Sequence, residues 1–189
     1  MNTRYSLSCI CIGLSTLVSS EAAIAVDATR SATEVLRSGR WLLIEFAARE
    51  QLVYRISSQS SNSDKNYLAF DFAPSDKCVP LPAVMSSAFK AYSPALDHGN
   101  VPMSYRSPGQ SESTEVTETE MAPGDSFAFF QFKGLTTALL LKSHDKGSLS
   151  VWVPGSGDGT VKRSGNIYFS LEGFTAAYQG AWKRCHDNR

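Results

Sequence analysis

Residues 66–73 read NYLAFDFA, and a leucine or phenylalanine occupies every second position in the middle of this stretch. In an extended strand, Leu68, Phe70 and Phe72 point to one face of the sheet, while Asp71 points to the other. This alternation is typical of a strand that buries one side of an antiparallel sheet and leaves the other side in water. The stretch therefore predicts a β-sheet protein.

Similar short apolar runs, separated by polar turns, recur along the chain. They predict further strands at residues 41–46, 51–57, 126–133, 135–142, 148–153 and 166–171. The polar stretch 58–65 (SQSSNSDK) between two of these runs is typical of a hairpin loop. Because the strands are dense and the helical signal is weak, the sequence predicts a mainly β fold, an antiparallel sandwich or barrel.

Helical periodicity is clearest near the C-terminus, where apolar residues recur along one side of a helix at Phe174, Ala177, Tyr178, Ala181, Trp182 and Cys185. We expect this amphipathic helix to pack on the sheet, although the same stripe fits a partner-binding or membrane-surface helix. A weaker pattern at Ala32, Val35 and Leu36 predicts a short N-terminal helix. Residues 84–92 are a further short helical candidate.

Residues 1–25 have the organisation of a cleavable secretory signal peptide. Arg4 precedes an apolar run at residues 7–18, and a small-residue triplet ends at Ala25. The run is shorter than the roughly 20 residues that cross a bilayer. We predict cleavage after Ala25, a single β-rich domain at residues 26–189 without an integral membrane segment, and a location in the periplasm or outside the cell.

Cleavage would remove Cys9 and Cys11 and leave Cys78 and Cys185 as the cysteines of the mature chain. A lone pair of cysteines in an oxidising compartment normally forms a disulfide, so we predict a Cys78–Cys185 bridge. A redox-active or metal-binding pair is the alternative, but the wide spacing lacks the proximity of a C-x-x-C motif.

The charge balance excludes one class of partner. The chain has 18 Lys and Arg against 18 Asp and Glu, so it lacks the basic excess that a nucleic-acid binder normally uses to neutralise phosphates. We expect no nucleic-acid partner. The acidic stretch 110–120 (QSESTEVTETE) indicates a solvated loop, with a Thr-rich edge strand and a calcium-attracting surface as alternatives.

Candidate catalytic residues are few. The histidines adjoin aspartates at Asp97-His98, His144-Asp145 and His186-Asp187. Side chains of adjacent residues diverge, so we interpret these pairs as exposed loop residues. His98 or His144 would act as a general base only beside a serine, and the three histidines would bind a metal only if the fold gathered them.

Other motifs carry no chemistry that we can assign. The stretch 155–159 (GSGDG) lacks the spacing of a phosphate loop or a nucleophile elbow, so we interpret it as a turn. We expect Asp71, which has apolar neighbours on both sides, to be a hydrogen-bonded structural residue. The sequence thus predicts no catalytic residue, no metal site and no cofactor.

Residues 169–177 (FSLEGFTAA) resemble the closing strand-to-helix segment of the invasion-associated locus B proteins, with support from the export signal and from Trp41 at the start of the first strand. These are secreted or periplasmic bacterial β-sandwich proteins. The resemblance implies a virulence- or envelope-associated interaction role and no catalytic residues.

We therefore predict an exported, non-catalytic protein-interaction module of the bacterial envelope, which binds another protein through a strand edge or loop. An inhibitor or immunity protein that blocks a toxic enzyme is a more specific form of this function. A small exported hydrolase that uses a histidine–aspartate turn is the alternative from another class. A small-ligand carrier, with a cavity lined by the aromatic residues at 127–132, is a further alternative.

Overall fold

The computed structural model describes residues 32–48, 51–87, 100–120, 128–155 and 162–188. These residues form ten strands and two α-helices. The strands are β1 (Thr33–Ser38), β2 (Trp41–Ala48), β3 (Gln51–Gln59), β4 (Asn66–Phe72), β5 (Leu81–Ser86), β6 (Asn100–Arg106), β7 (Ser113–Glu120), β8 (Ala128–Gln131), β9 (Ser148–Gly155) and β10 (Lys162–Ser170). The helices are α1 (Thr137–Leu141) and α2 (Phe174–Asp187), and a 3₁₀ turn at Pro74–Asp76 follows β4.

The ten strands form one sheet in the order β1-β2-β3-β4-β5-β8-β7-β6-β9-β10. Neighbouring strands are antiparallel throughout. The first five strands follow the order of the chain, so each pairs with the strand that precedes it. The mainly β, antiparallel prediction is confirmed.

One face of the sheet encloses the core together with α2. Leu68, Phe70 and Phe72 are fully buried, as the alternation in β4 predicts. The Phe174 ring of α2 lies 4.9 Å from the Trp41 ring and 5.4 Å from the Phe70 ring, measured between centroids. Each such side chain contributes about 1.5–3 kcal/mol on burial. The prediction that the C-terminal helix packs on the sheet is confirmed.

The sheet curls until the end of β10 meets the turn between β1 and β2. The Arg40 N–H donates to the Glu172 carbonyl at 3.2 Å. Gly173 has a φ of 83°, and a Cβ at this position would overlap the Ser38 carbonyl. Only glycine combines this backbone conformation with such a close approach. The two ends of the sheet therefore lie together, which makes the fold barrel-like.

The predicted short N-terminal helix is wrong, because Ala32, Val35 and Leu36 belong to the start of the sheet and β1 is a strand. The register of β1 on β2 shifts between Glu34 and Leu36. This bulge breaks the period of two, so Val35 and Leu36 both contact the interior or α2. The resulting spacing of apolar residues imitates a helix.

Two other element predictions are also wrong, and a third is wrong in the part that the structure describes. Residues 135–142 contain the helix α1 instead of a strand, and the acidic stretch 110–120 contains the strand β7 instead of a solvated loop. β7 is not the Thr-rich edge strand of the alternative interpretation either, because it lies between β8 and β6. Residues 84–86 of the helical candidate at 84–92 belong to β5.

Several predictions fall on parts of the chain outside the described residues: the signal peptide at 1–25, His98 with Asp97, residues 88–92 of the helical candidate, and most of the glycine-rich stretch at 155–159. Among the described residues, no helix is both long enough and apolar enough to cross a bilayer.

Candidate interaction surface

The two described histidine–aspartate pairs lie at opposite ends of α2. The Asp145 carboxylate accepts a hydrogen bond from the Thr175 N–H at 2.7 Å, in the first turn of the helix. His186 lies in the last turn, where its ring stacks 3.9 Å from the Trp182 ring and its Nδ1 lies 2.9 Å from the Trp182 carbonyl oxygen. Asp145 thus stabilises the start of the helix, where backbone N–H groups need acceptors.

Asp71 has the structural role that the sequence predicts. Its two carboxylate oxygens accept hydrogen bonds from Arg55 at 2.6 and 2.7 Å. Arg55 is only 4% exposed, and its guanidinium lies 5.2 Å from the centroid of the Phe46 ring. Burial opposes the charge of Arg55, but the attraction and hydrogen bonds of Asp71 more than offset this, so the pKa of Arg55 is raised.

The acidic residues of β7 also have partners within the fold. Glu115 accepts hydrogen bonds from the backbone N–H groups of Lys133 and Gly134 at 2.6 and 2.8 Å. Glu118 forms an exposed ion pair with Lys133. In the part of the chain that the structure describes, no three His, Cys, Asp or Glu side chains gather into a cluster that would hold a metal ion.

The two cysteines lie together, as the predicted disulfide requires. Their sulfur atoms are 2.10 Å apart and their Cα atoms 5.9 Å apart. Cys78 lies in the turn after Pro74–Asp76, and Cys185 lies on the buried side of α2. A bond between these atoms would fasten α2 to the first half of the sheet.

The aromatic residues of β8 and the residue that follows it fill space in the core. Phe130 and Phe132 are fully buried and belong to the main hydrophobic cluster. The Phe132 ring lies 5.7 Å from the Tyr105 ring. These side chains therefore contribute packing in the structure, which gives no support to the carrier hypothesis.

A different group of aromatic residues lies on the outer face of the sheet, where β6, β9 and β10 are neighbours. Trp152 of β9 pairs with Ser104 of β6 and with Asn166 of β10, so these three side chains share one face. Ser150 of β9 pairs in the same way with Tyr168 of β10. The side chain of Val151, between Ser150 and Trp152, is buried in the core. The shared face is therefore the outer one.

We call Arg106, Trp152, Asn166 and Tyr168 the aromatic patch. Arg106 is exposed, and its guanidinium lies 5.8 Å from the centroid of the Trp152 ring. The Tyr168 side chain is 37% exposed, and its hydroxyl accepts a hydrogen bond from the Asn166 amide at 3.1 Å. A cation over a tryptophan face and a tyrosine two positions along the neighbouring strand thus form one surface.

The backbone beneath the patch is fixed from the side by the loop between β3 and β4. The Asn62 side chain donates to the Asn166 carbonyl at 2.7 Å and accepts from the Tyr168 N–H at 3.2 Å. The Ser61 N–H donates to the Tyr168 carbonyl at 2.7 Å. β10 is the last strand in the order of the sheet. Because these bonds occupy its backbone groups, the same groups are not open to pairing with a strand of another chain.

The other end of the sheet is unsuited to strand addition for a different reason. β1 carries the bulge at Glu34 and Leu36 and an exposed ion pair between Glu34 and Arg37. Bulges and charges on an edge strand disfavour pairing with another chain. Neither end of the sheet therefore offers the free strand edge that the sequence predicts as a contact surface.

The patch residues were not predicted from the sequence, although their signal is present. In SLSVWV and NIYFSL, the strands that became β9 and β10, the alternation assigns Trp152 and Tyr168 to the same face as serine and asparagine. A large aromatic residue on the polar face of an amphipathic strand is the signal that would have identified them. Their proximity to Arg106 depends on the pairing of β6 with β9, which is not sequential in the chain.

No protein-family model and no curated protein sequence matches the chain. Among solved structures, the fold is similar to the crystal structure of invasion associated protein B from Bartonella henselae. The two structures superpose with a TM-score of 0.55 over 83% of this chain and 100% of that chain, at 12% sequence identity. The predicted resemblance to the invasion-associated locus B proteins is confirmed as a likeness of fold.

Proposed function

We propose that this chain is an exported, non-catalytic protein-interaction module of the bacterial envelope, and that it contacts its partner through the aromatic patch. The observation that carries this proposal is a group on one sheet face, in which Tyr168 and Arg106 are exposed and Trp152 is half-buried. Trp, Tyr and Arg are the residues most enriched among those that dominate the free energy of protein–protein binding.

The geometry of the patch fits this role. β6 and β9 each have a paired strand on both sides, so the side chains project from a rigid surface and lose little conformational freedom on binding. The Asn62 bonds to Asn166 and Tyr168 fix the backbone of β10 at the same place. A face, and not a strand edge, is therefore the contact surface that we propose.

Export rests on separate support. Residues 1–25 have the pattern of a leader, and the Cys78 and Cys185 sulfur atoms lie at bonding distance, which suits an oxidising compartment. The fold likeness to an invasion associated protein supports an envelope- or virulence-associated role. We propose that the mature chain begins after Ala25, folds as one β-rich domain with the two sulfur atoms bonded, and works in the periplasm or outside the cell.

Site-specific photo-crosslinking in the source bacterium tests the contact surface. The photoreactive residue p-benzoylphenylalanine replaces Tyr168 in the patch or, as a matched control, Leu81, which is 56% exposed on β5. We expect a discrete protein adduct from position 168 and none from position 81. A second change, Trp152→Ala, should lower the yield at position 168 about tenfold, as expected for the loss of a dominant contact.

Two results would contradict the proposal: no adduct at position 168, or an adduct whose yield is unchanged by Trp152→Ala. An adduct with a toxic enzyme would assign the more specific inhibitor or immunity function.

Intact-mass measurement of the protein from the periplasm or medium tests export independently of the patch. We expect an N-terminus at Val26 and a mass that rises by two hydrogens when the Cys78–Cys185 pair is reduced. An uncleaved leader on a functional cytosolic protein would overturn the export proposal.

A further inference from the structure

We propose that the inner face of the sheet holds a binding site for neutral hydroxyl groups, supplied by water or by a small polyhydroxy molecule. Asn66 of β4, Ser86 of β5 and Thr119 of β7 form this site, and we call them the polar triplet. The aromatic patch lies on the outer face, so the inference goes beyond the proposed function and does not depend on it.

Strand pairing places the three side chains at one end of the inner face. Asn66 pairs with Ser86, and Ser86 pairs with Ala128 of β8, so these side chains share a face. Thr119 pairs with Phe130, two positions along β8. Ala128 and Phe130 belong to the main hydrophobic cluster, which identifies the shared face as the inner one. Directly opposed side chains have Cβ atoms about 4.5–5.5 Å apart, so Asn66 and Ser86 are neighbours.

The side chains at this end of the core are small. Ser86 and Ala128 pair with each other where the next row of β5 and β8 has Val84 and Phe130. All four side chains are fully buried. Protein interiors are close-packed, so other atoms fill the volume that smaller side chains leave. Beside polar side chains, ordered water commonly fills such a space.

The polar triplet has hydrogen-bonding atoms that the chain does not use. Asn66, Ser86 and Thr119 are 6%, 0% and 3% exposed. The Asn66 amide nitrogen donates to Ser63 Oγ at 2.8 Å. Among the described residues, Asn66 Oδ1, Ser86 Oγ and Thr119 Oγ1 are buried atoms without a hydrogen-bond partner. Buried polar atoms are nearly always bonded, because an unpaired one loses its bonds to water without replacement. These three atoms therefore indicate a bound group.

Hydroxyl groups match the three atoms. Asn66 Oδ1 accepts a hydrogen bond, whereas the Ser86 and Thr119 hydroxyls each donate and accept. One hydroxyl group would bond to Asn66 and Ser86, and a second would bond to Thr119, which β8 separates from Ser86 by two strand spacings, about 9–10 Å. An ion is a poorer match, since no member of the triplet is charged and burying an unpaired ion is unfavourable.

The sign of a stability change tests whether the Thr119 hydroxyl is bonded. Thr119→Val removes this hydroxyl and keeps the shape of the side chain. If the hydroxyl is bonded, the equilibrium constant for unfolding in urea should rise about fivefold, as is typical for one hydrogen bond. The matched reference is Thr117→Val on the same strand and face. The Thr117 hydroxyl donates to the Val101 carbonyl at 2.8 Å, so this variant should also be destabilised.

An unchanged or lower unfolding constant for Thr119→Val would overturn the inference, because removal of an unpaired buried hydroxyl is neutral or stabilising.

Oxygen-17 relaxation dispersion on the mature chain detects bound water directly. We expect a signal from long-lived water in the wild type that decreases in the double variant Ser86→Ala/Thr119→Val. This variant leaves only Asn66 Oδ1, and a buried water needs two to four polar partners. Thr117→Val should keep the wild-type signal.

Native mass spectrometry of protein from the source bacterium separates the two sources of hydroxyl groups. A mass equal to that of the chain, with the loss of water signal in the double variant, assigns water. An added neutral mass that the double variant lacks assigns a small polyhydroxy molecule. Equal water signals for the wild type and the double variant, without an added mass, would overturn the inference.

Discussion

Two arginines on the outer face of the sheet have similar aromatic neighbours and opposite surroundings. Arg55, in the first half of the sheet, is buried and paired with Asp71. Arg106, in the second half, is exposed over Trp152. A cation over an aromatic ring contributes about 0.5–1 kcal/mol at an exposed site and more when it is desolvated. The ring alone therefore does not distinguish the two roles.

The difference lies in what each half of the sheet supplies to its arginine. The first half supplies a carboxylate and a second small apolar cluster at Phe46, Val53 and Ala73. Those contacts satisfy Arg55 within the chain. In the second half, Arg106 lies over the Trp152 ring and stays exposed. We conclude that the first half of the sheet serves stability, and we assign binding to the second half.

The largest expected effect on the free energy of unfolding comes from the first half of the sheet, to which the proposed disulfide fastens α2. The double variant Cys78→Ala/Cys185→Ala should lose about 4–5 kcal/mol of unfolding free energy, because the bridge closes a loop of 107 residues. Urea unfolding measures the loss. In reducing buffer the wild type and the double variant should have nearly equal stability, and a large remaining difference would show that the loss comes from packing alone.

A smaller loss is expected from Asp71→Ala. This variant leaves a buried guanidinium without its partner, which costs about 3–5 kcal/mol at a fully buried site. Asp71 is 40% exposed, so water offsets part of the cost, and we expect a loss of about 2–3 kcal/mol. The control Glu34→Ala removes the exposed pair with Arg37 and should cost under about 0.5 kcal/mol. Equal losses for the two variants would contradict the structural role of Asp71.

The hydrogen bonds of Asn62 beneath the aromatic patch should contribute less to the free energy of unfolding. Asn62→Ala removes the two side-chain hydrogen bonds to β10, and we expect a loss of about 1–2 kcal/mol with faster hydrogen exchange at the Tyr168 N–H. Gln59→Ala serves as the control, since the Gln59 amide bonds only within its own hairpin region, to Asp64 and Tyr67. If both variants exchange at the wild-type rate, the loop does not hold β10.

A smaller effect is expected from Tyr105, on the pH dependence of the free energy of unfolding. Burial, with a further contribution from Glu115, raises the pKa of Tyr105 above its ordinary value of 10.0. The neutral phenol is therefore favoured in the folded state, so its contribution to stability is present below about pH 10 and is lost as the pH rises through the folded pKa. Urea unfolding at pH 9 and 11, flanking about pH 10, should show a smaller alkaline loss for Tyr105→Phe than for the wild type. An equal alkaline loss would assign the effect to other groups.

The sequence predicted the strands well where large apolar residues alternate over a longer run, as in β4 and β10. The prediction failed at residues 135–142. A short apolar run such as LTTALLLK fits either a strand or a helix, and only tertiary contacts decide between them. The prediction also failed at β7, where Thr117 and Thr119 are buried while Glu118 stays exposed. Thr and Glu alternate there as a strand requires, but their polarity indicated a loop.

The proposed contact surface could be predicted only in part from the sequence. Alternation places Trp152 and Tyr168 on the outer face, which is local information. Their proximity to Arg106 is not local, because β6 and β9 are separated in the chain by β7, β8 and α1. The Cys78–Cys185 pair could be predicted without knowing the strand order, because few cysteines remain after the expected cleavage.

The central claim is that the aromatic patch serves a partner and not the stability of the chain. The most direct test is the free energy of unfolding of Arg106→Ala, measured in urea beside Asp71→Ala. We predict that Arg106→Ala stays within about 0.5 kcal/mol of the wild type, as surface substitutions usually do. A loss as large as that of Asp71→Ala would show that Arg106 is a structural residue like Arg55, and would contradict the division of the sheet into a stabilising half and a binding half.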